Sequence, residues 1–182
     1  MVVAITGGIA EGKSTVLGIL ANLGFSTLSA DLLAKEVFND PEVNRSLASL
    51  LDIPFPVAPS DILNAISNRS GARRAVNRIM HPRILAGIQQ SEAEFVEIPL
   101  LIEACLQGNF DRTWLVTCGR DEQRRRLRER YGDSFDFEAL LAAQLTFSVK
   151  MVFADEVIRT NFPLETVRRN VSEALARRFE CG

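Results

Sequence analysis

One histidine and three cysteines are all that the 182 residues offer of the usual metal-binding and redox side chains. A lone His81 cannot build a multi-histidine metal centre, and it leaves a Ser-His-Asp hydrolase almost no room. Cys105, Cys118 and Cys181 are odd in number and far apart, with no C-x-x-C pair. No zinc knuckle or disulfide framework follows from them, and a reducing cytoplasm is the expected compartment. No apolar run approaches the ~20 residues of a membrane span, and the opening Met1-Val2-Val3-Ala4-Ile5 lacks the basic leader of a signal peptide. A basic excess is missing too. Lys plus Arg number 21 and Asp plus Glu 23, a net charge of −2, which argues against a nucleic-acid partner. What is present, 47% hydrophobic and 24% charged residues, is the composition of one soluble domain with a sizeable core.

The pattern along the chain alternates strand and helix. Val2–Thr6 is a short apolar run stopped by Gly7-Gly8, the signature of a buried strand. Val16, Leu17, Ile19, Leu20 and Leu23 recur at helical spacing and Gly24 closes that helix. Phe25–Ser29 predicts a second strand and Leu32–Phe38 a second helix, the opening of a parallel α/β sheet. Residues 40–91 read as a helical insertion, broken by the extended Pro54-Phe55-Pro56-Val57-Ala58-Pro59. Strands are expected at Phe95–Ile98, Thr113–Cys118 and Glu156–Thr160. Helices are expected near Leu100–Leu106, Asp121–Arg130, Phe137–Phe147 and Pro163–Phe179. Trp114 and most of the 11 phenylalanines are expected in the core.

Gly7-Gly8-Ile9-Ala10-Glu11-Gly12-Lys13-Ser14-Thr15 fits G-x-x-x-x-G-K-[ST] without a gap, between the first strand and the first helix. Glycines let backbone N–H groups curl around phosphate oxygens, Lys13 brings charge to the β- and γ-phosphates, and Ser14 offers Mg²⁺ a hydroxyl. A nucleoside triphosphate site is the firmest reading of this chain. Glu11, an acid within that loop, is expected to point its side chain to solvent while its N–H faces the phosphates.

Phosphoryl transfer to a hydroxyl also needs a group to receive the acceptor's proton. Asp31, just past the second strand, is either that base or the N-cap of the following helix. Glu97 lies in an otherwise apolar strand, either as a carboxylate for the Mg²⁺ shell or as a strand-end acid in solvent. Glu103 is a cleft residue or a polar helix face. His81 before Pro82 is more often a turn residue than a catalyst. The run Arg124, Arg125, Arg126, Arg128 and Arg130 is too dense for one helix face, so most of it must be solvated.

Taken in order, Gly7–Thr15, Ser29-Ala30-Asp31, Met80-His81-Pro82 and Ile98-Pro99-Leu100-Leu101-Ile102-Glu103 resemble the motifs of the dephospho-CoA kinase family. Gln123 with Arg126 and Arg130, then Ala142-Ala143-Gln144, and Ala154-Asp155-Glu156-Val157-Ile158 with Asn161 extend the likeness over residues 2–171. The resemblance implies a P-loop kinase fold, a parallel sheet flanked by helices. The core would be residues 1–39, 92–120 and 151–182, with the acceptor-side insertion at 40–91 and a lid at 121–150. It implies ATP and Mg²⁺ as cofactors and phosphorylation of the ribose 3′-hydroxyl of dephospho-CoA by a monomer or weak homo-oligomer. Asp31 would be the base, and Lys13, Arg126 and Arg130 would act on the transferring phosphoryl group. Gly8, Ile9, Ala10, Glu11, Gly12, Lys13, Ser14, Thr15 and Asn161 would hold the nucleotide. His81, Leu100 and Glu103 would join Asp31 at the acceptor, and Ser14 and Glu97 would serve the metal.

The chain departs from the family pattern on the acceptor side. Ser29 replaces the first acid of D-A-D, Val57–Ile62 lacks an arginine, Phe147 stands where an arginine follows Ala-Ala-Gln, and Phe162 follows Asn161 in place of glycine. Two other readings stay open on the residues alone: a kinase for a nucleoside, nucleotide or sugar acid, and a nucleotide-binding relative without turnover. The Gly132-Asp133-Ser134 turn predicts a mobile tip for the lid.

Overall fold

Val3-Ala4-Ile5-Thr6 is apolar because it runs through the middle of a sheet. In the computed structural model, which describes residues 1–132 and 136–178, strand β1 (Val3–Thr6) is wholly buried. It pairs in parallel with β3 (Phe95–Glu97) on one side and β4 (Arg112–Thr117) on the other. Strand β5 (Glu156–Arg159) continues in parallel beyond β4, and β2 (Thr27–Ser29) completes the order β2-β3-β1-β4-β5. The order changes direction at β1, and sheets of this kind bind ligands beyond their strand C-termini at that point. β1 runs directly into Gly7, so the glycine loop stands at the reversal.

The chain separates into two compact units, Met1–Leu28 with Ala93–Gly182, and Ser29–Glu92. The first holds α1 (Lys13–Asn22), α6 (Arg120–Tyr131), α7 (Phe137–Ala142), α8 (Phe147–Met151) and α9 (Leu164–Arg177). Val16, Ile19 and Leu20 of α1 and Val167, Val171 and Ala174 of α9 pack on Val3, Ile5, Trp114, Val116 and Ile158 of the strands. Phe95 stands between Phe25 and Trp114, with ring centroids 5.3 and 5.2 Å away.

The second unit holds α2 (Ala30–Asn39), α3 (Pro41–Leu51), α4 (Pro59–Asn68) and α5 (Ala72–Gln90). Its own core gathers Val43, Leu47, Leu51, Val57, Ala65 and Val76. Asp40 caps α3 by accepting the Glu42 and Val43 amides at 2.8 and 3.3 Å. Buried Asn44 closes the proline-rich connector, donating to the Val57 carbonyl at 3.0 Å and accepting its N–H at 2.8 Å. The unit begins at Ser29 rather than near residue 40 because α2 packs on α3 and α5.

Several local expectations need correction. Residues 100–106 form turns, not a helix: Cys105 takes φ 56° and the Leu106 N–H bonds the Leu101 carbonyl, which ends the helical path. A short 3₁₀ turn at Gln107–Asn109 follows. The single helix expected over Phe137–Phe147 is two, because the Leu145 N–H is taken by the Glu103 carboxylate at 3.1 Å and Thr146 is extended. His81-Pro82 is no turn. It lies inside α5, which continues through Pro82 although that residue has no N–H for the Arg78 carbonyl. Phe55, Phe147, Phe153 and Phe162 are exposed on connectors and a short helix rather than packed in the core. The tip expected at Gly132-Asp133-Ser134 falls largely outside the described residues. Among the described residues no helix is long and apolar enough to cross a membrane.

Candidate active site

The loop between β1 and α1 takes its shape from close backbone approaches. A Cβ on Gly7 would lie 2.3 Å from the Val116 carbonyl oxygen, and one on Gly12 2.7 Å from Thr160 Oγ1. Gly12 is also the N-cap of α1 at φ 93°, a conformation that favours glycine. Lys13 opens α1 with its side chain buried and turns back over the loop. Its Nζ donates to the Gly7 and Gly8 carbonyls at 3.1 and 2.9 Å. A helix N-terminus beneath a glycine turn with a lysine across it is an anion site, since N–H dipoles and the ammonium act together. Ser14 and Thr15 are exposed at the same helix start.

The back of the loop is braced by side chains from distant segments. Glu11 overturns the expectation made for it. Its carboxylate is buried rather than solvated, accepting the Gly8 N–H at 2.6 Å and the Thr117 hydroxyl at 3.1 Å. Charge-assisted bonds of this kind make a buried carboxylate tolerable. Thr160, just past β5, donates its hydroxyl to the Glu11 carbonyl at 2.6 Å. Arg126 of α6 has partners other than phosphoryl oxygens: it donates to the Thr160 carbonyl at 2.6 Å, the Ala10 carbonyl at 3.4 Å and the Glu122 carboxylate at 2.8 Å. Hydrogen bonds from Arg125 and Arg126 pull Glu122 down to about 2. Burial pushes the Cys118 thiol up to about 11, so it stays protonated and unreactive near neutral pH.

The remaining candidates fall in different surroundings. Asp31 is exposed in the first turn of α2, whose N-cap is Ser29, so Asp31 is not the capping residue. Glu97 ends β3 half-buried, in register with Ile5. Glu103 pairs with Lys150 of α8 at 2.8 Å, with side chains only 16% and 3% exposed. Lys150 lines a cleft of ≈ 690 Å³ together with Gly8 and Glu11 of the loop, Leu115 and Thr117 of β4, and Arg159. Leu100 and Asn161 are exposed. Arg130 sits near the end of α6 with its guanidinium 5.2 Å from the Tyr131 ring centre. Burial lowers the pKa of His81 in α5. Among the described residues no group of three or more His, Cys, Asp or Glu could hold a metal by itself.

The chain matches the family model described as dephospho-CoA kinase over residues 1–53 and 60–165. It belongs to the dephospho-CoA kinase family. A dephospho-CoA kinase of Geobacter metallireducens is 35% identical over 196 residues, covering 99% of this chain and 98% of that protein. One from Geobacter sulfurreducens is 34% identical over 194 residues, covering 98% of each. Among solved structures, TT1252 from Thermus thermophilus is 28% identical with a TM-score of 0.82, covering 98% of this chain and 97% of that one. A dephospho-CoA kinase from Campylobacter jejuni, at 24% identity and a TM-score of 0.67 over 97% of this chain and 96% of its own, supports the fold. The architecture is thus that of the P-loop kinases, with the reversal at β1 carrying the family's glycine loop.

Reasoning from sequence alone missed the bracing of that loop in this dephospho-CoA kinase family member. Thr117 carried one signal, as a hydroxyl at the end of a buried, largely apolar strand. Pairing Glu103 with Lys150 required two segments 47 positions apart, which no local pattern links.

Proposed function

We propose that the chain transfers the γ-phosphoryl group of ATP to the ribose 3′-hydroxyl of dephospho-CoA, giving coenzyme A. The observation that carries this reading is the glycine loop with Lys13 across it, at the switch point of a sheet whose chain matches the family over most of its length. Lys13 draws charge from the β- and γ-phosphates as the transfer proceeds. Ser14 and Glu97 are the residues for Mg²⁺, an ion that commonly takes few protein ligands and relies on substrate phosphates. Ser14 stands exposed at the start of α1 and Glu97 half-buried at the end of β3, oxygen donors of the kind that ion takes. Bound there, Mg²⁺ supplies charge neutralisation.

Asp31, exposed at the start of α2, is the base that takes the acceptor's proton. Gly8 to Thr15 form the phosphate cradle and Asn161 lies at the adenine. Arg130 is the cation for the transferring group, with Arg126 acting through the loop it braces. His81 and Leu100 contact the acceptor, and Glu103 acts through Lys150. The segment 121–150 closes over the nucleotide, and the enzyme works in the cytoplasm. A coupled ATP-consumption assay over a panel of acceptors tests the reading. Turnover is expected with dephospho-CoA, and turnover only with a nucleoside, nucleotide or sugar acid would replace it.

A further inference from the structure

Two glutamines from outside the glycine loop grip one of its residues on both sides, through the peptide before it and the peptide after it. The Gln123 side chain on α6 donates from Nε2 to the Ile9 carbonyl at 2.8 Å. The Ile9 N–H donates to Gln144 Oε1, two residues beyond α7, at 3.2 Å. The pairing dictates how each amide is turned, because a carbonyl needs the NH₂ group and an N–H needs the oxygen. Gln123 is buried and Gln144 half-buried, so neither bond is a solvent-exposed accident.

A second observation points the same way. Gly8 is not among the positive-φ glycines, so its backbone does not require glycine. A Cβ there would instead come within 2.7 Å of Gln123 Nε2 and 3.2 Å of Gln144 Oε1. Gly8 leaves the space through which the two glutamines reach Ile9.

We propose that Gln123 and Gln144 are positioning residues for phosphoryl transfer, acting as a clamp on the two peptide groups that flank the Ile9 Cα. The clamp sets the direction of the next amides, Ala10 and Glu11, which belong to the phosphate cradle. Ile9 itself contributes through the clamp, its N–H staying on Gln144 when nucleotide is bound. The two side chains come from α6 and from the α7–α8 connector, so the clamp also ties the segment expected to close over the nucleotide to the loop beneath. The proposal rests on the ATP-kinase reading above for its kinetic consequence, but not for its geometry.

The test uses the full chain and its Gln123→Leu, Gln144→Leu and Gln144→Glu variants. Three quantities are read: amide exchange at Ile9 by NMR, ADP affinity together with the thermal midpoint, and kinetics with ATP and dephospho-CoA. Small displacements of reacting groups carry large rate penalties, so each Leu variant should lose ~10-fold or more in kcat while the KM for ATP stays within about threefold. Both bonds fix the same residue through its two flanking peptides, so the double Leu variant should lose no more than about twofold beyond the worse single. Ile9 exchange should speed up ~10-fold in Gln144→Leu and return to the wild-type rate in Gln144→Glu, which keeps an acceptor. Unchanged Ile9 exchange in Gln144→Leu overturns the clamp. So does a kcat within about twofold of wild type in both Leu variants, or a kcat loss matched by equal losses of ADP affinity and thermal stability. A wild-type protein that leaves dephospho-CoA untouched sinks the proposed function instead, and the exchange measurement then decides the clamp alone.

Discussion

The two compact units of this chain are held together by different chemistry. Around the glycine loop, polar contacts span long stretches of sequence: Thr160 to Glu11 across 149 positions, Arg126 to Ala10 across 116, Thr117 to Glu11 across 106. In Ser29–Glu92 the buried polar contact of Asn44 with Val57 spans 13 positions, and an apolar cluster does the rest. The nucleotide side is built from backbone groups that must each be fixed, whereas the helical unit needs only apolar faces at helical spacing and a few caps. A phosphate cradle fails when one amide turns away, while a helix bundle tolerates repacking.

The sharpest probe of the first unit is its buried ion pair. Glu103→Leu leaves the Lys150 ammonium buried without its partner and should cost ~3–5 kcal/mol of stability in denaturant unfolding. Adding Lys150→Met to that variant should recover most of the loss. If Glu103→Leu unfolds at the wild-type midpoint, the long-range polar contacts of this unit are not what hold it.

Asp31→Asn in the second unit should lower turnover ~10²-fold with an unchanged thermal midpoint, because the amide cannot take the acceptor's proton. ATP affinity should remain within about threefold. Normal turnover would remove the proton-accepting role assigned to the helical unit. Lys13→Ala should cost at least ~2 kcal/mol in transition-state stabilisation and weaken ATP binding as well. Measured side by side, the two variants separate a group acting on the acceptor from one acting on the phosphates.

Asn44→Leu should destabilise the protein by ~2 kcal/mol, since it leaves the polar groups of Val57 without their side-chain partner. ATP affinity should not change, and a loss of it would show that the Asn44 contact does more than close the proline-rich connector. The smallest effect is expected at Glu122. Its carboxyl is held at about 2, below the ordinary 4.5. It therefore contributes stability that is present above pH 4.5 and lost as the pH falls towards 2. Glu122→Gln should flatten the acid limb of stability against pH by a small amount, because the carboxylate is half-buried and one of its two partners, Arg125, is exposed.

Much of the fold was legible in the residues. Short apolar runs marked four of the five strands among the described residues to within one residue at each end, because a buried strand needs a short apolar stretch and a turn after it. The nucleotide loop was legible for a stronger reason: its glycines, lysine and serine are required by the phosphates at fixed offsets, so the spacing itself carries the chemistry. The order of motifs along the chain likewise resembled that of the family. What the letters did not show is that Cys105 turns to φ 56° and ends the helical path at residues 100–106, and that a long-range bond outcompetes a helical one at residues 143–146. The Leu145 N–H prefers the Glu103 carboxylate 42 positions away. Only the tertiary structure decided that Glu11 turns inward, that Arg126 braces the loop, and that two glutamines close on Ile9. Each depends on where a side chain of one segment meets another segment, as Glu11 meets Thr117, and periodicity, propensity and local spacing carry no term for that distance.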